Sequence, residues 1–293
     1  MPLSPWLPLL GLAALYSGLM VGTLTFMRWR RKTRWPFKGS DKLLRGPGEQ
    51  LKRRVLELDE SIPGEFFGGA FAVLIVCGAV ALATRQGALN GVAATALFVG
   101  AFLLTAGVSI WRITRLWKRR SNYFLGWYGE RIIADKLRPL QVAGYRVFHD
   151  VPTEPGDGGF NIDHVVVGPS GVAAVEVKTR RKAKSPNGHE VRFDGTKLVW
   201  PWGEDRKAID QTVNQADWLA KWVFEKVGLK VTVKPLLTCP GWYVKESPHP
   251  RLRVVATHFL CEAIRGRGET VLTSAQIDQI SRWLDERCRD VED

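Results

Sequence analysis

The chain has 293 residues, 45% of them hydrophobic, with 42 Lys and Arg against 29 Asp and Glu and a net charge of +13. Residues 1–125 hold 17 of the basic and 6 of the acidic residues, whereas residues 126–293 hold 25 and 23. The basic excess therefore mostly flanks apolar segments, as on the cytoplasmic side of a membrane protein, and is not evidence for a broad nucleic-acid footprint.

Residues 3–27 are almost wholly apolar and end against Arg28, Arg30, Arg31, Lys32 and Arg34. About 20 apolar residues suffice to cross a bilayer. A cleaved signal peptide would want a basic start, which this N-terminus lacks, so a retained span is expected. Residues 66–84 and 92–111 are two further uncharged runs, giving three expected transmembrane helices; a buried helical hairpin of a soluble protein is the alternative. The segment 28–65 has 11 basic residues and the segment 112–120 has five, whereas Arg85 alone lies between the second and third runs. The positive-inside rule then places the N-terminus outside and everything after residue 120 in the cytosol of a multi-pass cell-membrane protein. Residues 40–62 read either as a short amphipathic helix on the membrane surface or as a charged linker.

Beyond residue 120, residues 127–142 carry Ile132, Ile133, Leu137 and Leu140 on one helical stripe. Residues 145–151 read as a strand, followed by a Pro, Gly and Asp-rich loop. Residues 161–178, NIDHVVVGPSGVAAVEVK, read as two strands joined by a Gly-Pro-Ser-Gly turn. Short strands are expected at 191–193 and 198–202, a long helix at 205–227, strands at 231–238 and 253–258, and a closing helix at 274–288 with Ser274 as its N-cap. This order suggests an α/β mixed sheet flanked by helices over residues 121–293, after a membrane region over residues 1–120. Cys77, Cys239, Cys261 and Cys288 are scattered, with no spacing of a zinc site or disulfide framework.

Strand side chains alternate, so Glu176 and Lys178 share a face, and the hairpin brings Asp163 to it. Two neighbouring carboxylates can hold a hard divalent cation, and an ammonium beside them can meet a phosphate or position a water. The plain alternative is a charged face of an edge strand, with Val175 and Val177 buried behind it. His164 falls on the opposite face from Asp163 and reads as a buried, hydrogen-bonded histidine. Arg180, Arg181, Lys182 and Lys184 form a basic run suited to nucleic-acid phosphates, or a solvated loop. Trp200, Trp202, Trp218 and Trp222 suit core packing, with base stacking the alternative.

GERIIADKL at 129–137, the hairpin 161–178 and a glutamine-bearing helix after a Trp-rich strand resemble the nuclease-related domain (NERD) family, over roughly residues 125–225. The resemblance implies a restriction-endonuclease-like sheet of the PD-(D/E)xK superfamily. It implies metal-binding roles for Asp163 and Glu176, helped by Glu130, and makes Lys178 the lysine that closes the motif. Gln211 in KAIDQTVNQ stands where the family has a helix glutamine facing the site, although Lys207-Ala208 replaces Asn-Pro at the helix entry. Gln215 shares the face of Gln211. The resulting expectation is a membrane-anchored nuclease using Mg²⁺ or Mn²⁺, with nucleic acid, DNA before RNA, and the lipid bilayer as partners. A catalytically inactive nucleic-acid-binding or membrane-scaffold module is the alternative. A transporter subunit is disfavoured because no charge lies within any span.

Overall fold

Uncharged runs flanked by arginines form long helices in the computed structural model, which describes residues 43–87, 91–153, 160–184 and 188–289. Among these, residues 62–114 form one unit, and residues 43–61 with 115–289 form another. The expected span at 3–27 lies outside the described residues. Helices α1 (Glu49–Arg85) and α2 (Gly91–Val142) contain the runs 66–84 and 92–111, and both are long and apolar enough to cross a membrane. Phe66, Ile75, Leu103, Leu104 and Ile110 are exposed, as lipid-facing side chains would be. Residues 49–61 are helical, so the charged stretch before the second run is the start of α1 and not an irregular linker.

In the second unit a five-stranded sheet runs in the order β1 (Arg146–Pro152), β2 (Asn161–Gly168), β3 (Gly171–Val177), β7 (Val233–Thr238) and β9 (Arg253–Val255). The first two pairings are antiparallel and the last two parallel. A smaller sheet has the order β6 (Gly203–Asp205), β5 (Leu198–Trp200), β4 (Glu190–Phe193) and β8 (Tyr243–Lys245). Helix α3 (Lys207–Val227) connects the small sheet to β7, and α4 (Leu260–Arg265) and α5 (Ser274–Arg287) follow β9.

Both faces of the large sheet are covered. Val165, Val167, Val172 and Ala174 pack with Ala216, Leu219 and Val223 of α3 and with Ile277, Ile280 and Leu284 of α5. The alternate residues Val166, Ala173, Val175 and Val177 pack with Ile133, Leu137 and Leu140 of α2 and with Leu260 and Ile264. Val191, Phe193, Leu198 and Trp200 of the small sheet close over Ile209, Leu237, Trp242 and Val254. Burying a Val or Leu side chain contributes about 1.5–3 kcal/mol, so these three clusters hold the domain. Since Val175 and Val177 are not the only buried face of β3, Glu176 sits in an interior and not on an open edge.

Several expected boundaries change. The helix read at 127–142 is the end of the 52-residue α2. The strand read at 253–258 stops at Val255, and a 3₁₀ turn occupies Thr257–Phe259. Thr273, not Ser274, caps α5. Its hydroxyl accepts the Gln276 N–H, and the Gln276 side chain accepts the Thr273 N–H at 2.9 Å. The reciprocal bond needs a Gln or Glu three residues on, and counting from Ser274 that position is Ile277.

Candidate active site

The β2–β3 register pairs His164 with Val175, and one step further sets Asp163 opposite Glu176. Glu176 points to the face that carries Val172 and Ala174, under α3, where Gln215 reaches it. Beyond the last regular pair, Asp163 itself serves the ladder: its Oδ2 accepts the Val177 N–H at 2.7 Å. Lys178 follows directly, its backbone N–H donating to Thr238 O of β7 at 3.0 Å.

The Glu176 side chain is 2% exposed, so its charge needs compensation on both oxygens. The Lys178 ammonium pairs with Oε1. Gln215 Nε2 donates to Oε2 at 2.7 Å and to Asn161 O at 3.1 Å, which fixes the orientation of that amide. Gln211 Oε1 accepts from Lys178 Nζ at 3.0 Å. The two glutamines, one turn apart on α3, therefore divide the work. Gln211 steers the lysine, and Gln215 steers the carboxylate. Just before this helix, whose N-cap position is Arg206, the Asp205 Oδ1 accepts the Ala208 N–H at 3.0 Å and so meets one amide of the first turn.

Glu130 reaches the site because Gly129 lets α2 come close. A Cβ at Gly129 would lie 2.0 Å from Thr179 Cγ2. Glu130 is buried and its Oε2 has no hydrogen-bond partner. Burial first, then the charges of Asp150 and Glu176, push its carboxyl up to about 8, while Lys178 and the Gly48 amide pull the other way. Burial and the charges of Glu176 and Glu130 likewise hold Asp163 well above the usual carboxylate range. For Lys178, burial works against the charged form, but Glu176, Asp163 and Asp205 outweigh it and raise the ammonium. Three acids repel one another here around a single lysine.

Sequence reading did not single out Asp150. It is buried and has a φ of 49°, a left-handed conformation uncommon for a residue other than glycine. Asp150 lies inside β1, and the β1–β2 register passes over it from His149↔His164 to Val151↔Ile162. Its Oδ1 accepts from Asn161 Nδ2 at 2.8 Å; its Oδ2 accepts from the Gln50 N–H at 3.0 Å and from Arg45 at 3.3 Å. Asp150 thus caps the first turn of α1, and Gly48 just before that turn packs on Trp127 and Glu130. The hint in the sequence is a His149-Asp150 pair flanked by the apolar Val147, Phe148, Val151 and Pro152 of β1. His149 and His164 meet through their Nδ1 atoms at 2.8 Å. Burial lowers both imidazoles, His149 to about 4, so the pair is neutral near pH 7.

The basic run is less concentrated than its spacing suggests. Arg180 pairs with Asp205 at 3.4 Å, and Arg181 donates to Ser121 on α2. Lys182 and Lys184 are exposed.

Among the described residues no group of three or more His, Cys, Asp or Glu side chains forms a ready metal cage. The residues nevertheless fit a hard cation that keeps much of its water. Mg²⁺ is commonly held by only one or two carboxylates. Asp163 and Glu176 could supply them, and Glu130 Oε2 and Gln215 Oε1 are two further acceptors that are buried without a hydrogen-bond partner.

Residues 125–240 match the family model of the nuclease-related domain (NERD), which takes in Glu130, the β2–β3 hairpin, α3 and β7. No curated protein and no solved structure matches the chain. Arg45 and Gln50, which hold Asp150, lie before the matched region, and β8, β9, α4 and α5 lie after it. Over residues 125–240, this chain carries a nuclease-related domain.

Proposed function

We propose that the chain is a membrane-anchored, metal-dependent nuclease that hydrolyses phosphodiester bonds in nucleic acid. The carrying observation is the site itself: Glu176 is held between Lys178 and Gln215, and the carboxyls of Asp163 and Glu130 feel its charge. Asp163 and Glu176 would hold Mg²⁺ or Mn²⁺, with Glu130 completing the charge. Such an ion supplies charge neutralisation and a water of lowered pKa. Lys178, with 20% of its side chain exposed, is the group able to meet a phosphate oxygen as negative charge builds on it. Gln211 holds that ammonium in place. Arg180, Arg181, Lys182 and Lys184 would track the backbone of the nucleic acid, with DNA the first candidate.

Two membrane-competent helices, together with the basic segments 28–65 and 112–120, support a multi-pass protein whose nuclease-related domain faces the cytosol. The span at 3–27 completes the three-helix topology in this reading.

The test is a cleavage assay on the full chain in nanodiscs, with labelled single-stranded and duplex DNA and RNA in Mg²⁺, Mn²⁺ or EDTA. Cutting is expected with either metal and not in EDTA, and Asp163→Asn and Glu176→Gln should each abolish it. A chain that binds nucleic acid but cuts none of these substrates with any divalent metal is a binding module, and the hydrolytic reading falls.

A further inference from the structure

Trp202 occupies the turn between β5 and β6 and is 50% exposed, although indole is the largest apolar surface a side chain can bury. It is firmly braced. The Trp200 ring lies nearly parallel to it, with centroids 6.2 Å apart and 16° between planes. Trp242 meets it edge-on at 5.5 Å, and Trp242 and Trp200 meet at 4.8 Å and 81°. Trp200 and Trp242 are buried, so two core tryptophans present a third to solvent.

Short contacts tie this aromatic to the candidate site. Trp242 Nε1 donates to Arg180 O at 3.2 Å. The Arg180 side chain pairs with Asp205, whose carboxylate also accepts the Ala208 N–H in the first turn of α3, the helix that carries Gln211 and Gln215. Close by in the chain, Arg206 and Lys207 are exposed, and Glu204 is paired with Lys197 at 2.7 Å. An exposed indole braced by two buried tryptophans, one of which bonds the Arg180 carbonyl two residues from Lys178, has the makings of a stacking platform. A base offers its π-face only when it is unpaired, and such stacking tolerates any sequence.

We propose that Trp202 stacks an unpaired base and gives this domain a preference for single-stranded over duplex nucleic acid. The proposal rests on the nucleic-acid reading of the same site and assigns it a substrate class. A membrane-interface role for the indole is the competing occupant, and it is an outcome of the test.

The full chain in nanodiscs is titrated, in EDTA so that nothing is cut, into fluorescein-labelled oligo-deoxythymidylate and into a duplex of equal length, with anisotropy as the readout. Wild type should favour the single strand. Trp202→Ala should weaken single-strand binding about 10-fold or more and leave duplex binding within about 2-fold, the scale of one lost base stack. Trp202→Phe keeps a ring, guards against misfolding as the cause, and should retain most of the affinity. Wild-type fluorescence should be quenched by the oligonucleotide more than that of Trp202→Phe. Equal losses on both ligands, or none, overturn the proposal, and if metal-dependent cutting persists the nuclease reading stands without it. Conversely, a Trp202-dependent single-strand preference in a chain that never cuts keeps the platform and removes the hydrolysis. Quenching of Trp202 by brominated lipid, with no response to oligonucleotide, overturns the proposal in favour of the bilayer surface.

Discussion

Replacing Glu130 by glutamine keeps the side chain's size and removes a charge that the site tolerates poorly without a cation. In the folded domain the Glu130 carboxyl is pushed up to about 8 by burial and then by the charges of Asp150 and Glu176; in the unfolded chain it has the ordinary glutamate value of 4.5. Between these two values the folded state keeps a proton that the unfolded state has released. Stability therefore falls as pH rises through that window and levels off above it, at about 1.4 kcal/mol per pH unit and at most roughly 5 kcal/mol in all. Asp163, raised by the same neighbours, acts in the same direction, and it too is relieved when the Glu130 charge is gone. Hydrogen-exchange protection of the β2 and β3 amides in metal-free, detergent-solubilised full chain follows this unit alone. Wild-type protection should be greatest near about pH 5 and fall by two to three orders of magnitude by about pH 8.5. Glu130→Gln should match wild type at the acid end, exceed it at the alkaline end, and gain less from added Mg²⁺. A wild type with a flat profile, or a variant less protected than wild type at about pH 8, would refute the reasoning.

Lys178→Ala removes a cation from Glu176, so Mg²⁺ affinity measured by calorimetry should hold or rise while cleavage drops about 10²-fold; a collapse of metal affinity would make the lysine structural. Gln215→Leu takes a donor from Glu176 Oε2 and from Asn161 O, and should lower stability in a denaturant titration by about 1–3 kcal/mol. An unchanged midpoint would show that those bonds are not needed to hold the carboxylate. Alkaline phosphatase joined after residue 293 should be inactive, and joined within 86–91 active; the reverse pattern sinks the topology.

Period-two alternation was enough to place Glu176 beside Lys178, and the Gly-Pro-Ser-Gly turn was enough to set Asp163 across from them, because hairpin register follows from turn length. Alternation could not show that both faces of β3 are covered, since Ala173, Val175 and Val177 look alike whether or not α2 lies over them. Asp150 was hidden for a different reason. A left-handed residue inside a strand resets which way the side chain points, so its position in the alternation carries no information. Its partners Arg45 and Gln50 are about 100 residues away, and no local pattern links them to it. β6 and β8 have three residues each, too few to display a period. The basic run was legible as composition, but the turn of Arg180 toward Asp205 and of Arg181 toward Ser121 is tertiary packing.

The hydrogen bonds form one chain, from Arg45 and Gln50 through Asp150, Asn161 and Gln215 to Glu176, and on through Lys178 to Gln211. Its two ends differ in kind. At one end the Asp150 charge is balanced by Arg45 and by the positive end of α1, a helix terminus that favours an anion. At the other end Glu176 has a lysine and an amide, and among the described residues the neighbouring Asp163 and Glu130 have no ion-pair partner of their own. Asp150 stands between these ends. It is the second cause, after burial, of the upward shift of Glu130. A negative charge anchored by the start of α1 thus raises the cost of ionising Glu130 in the absence of a cation. Residues 43–61 lie outside the matched region, yet they fix the electrostatics of the acids within it. The electrostatic unit of this site is therefore larger than the nuclease-related domain, and it begins on the helix that also carries the first described membrane-competent run.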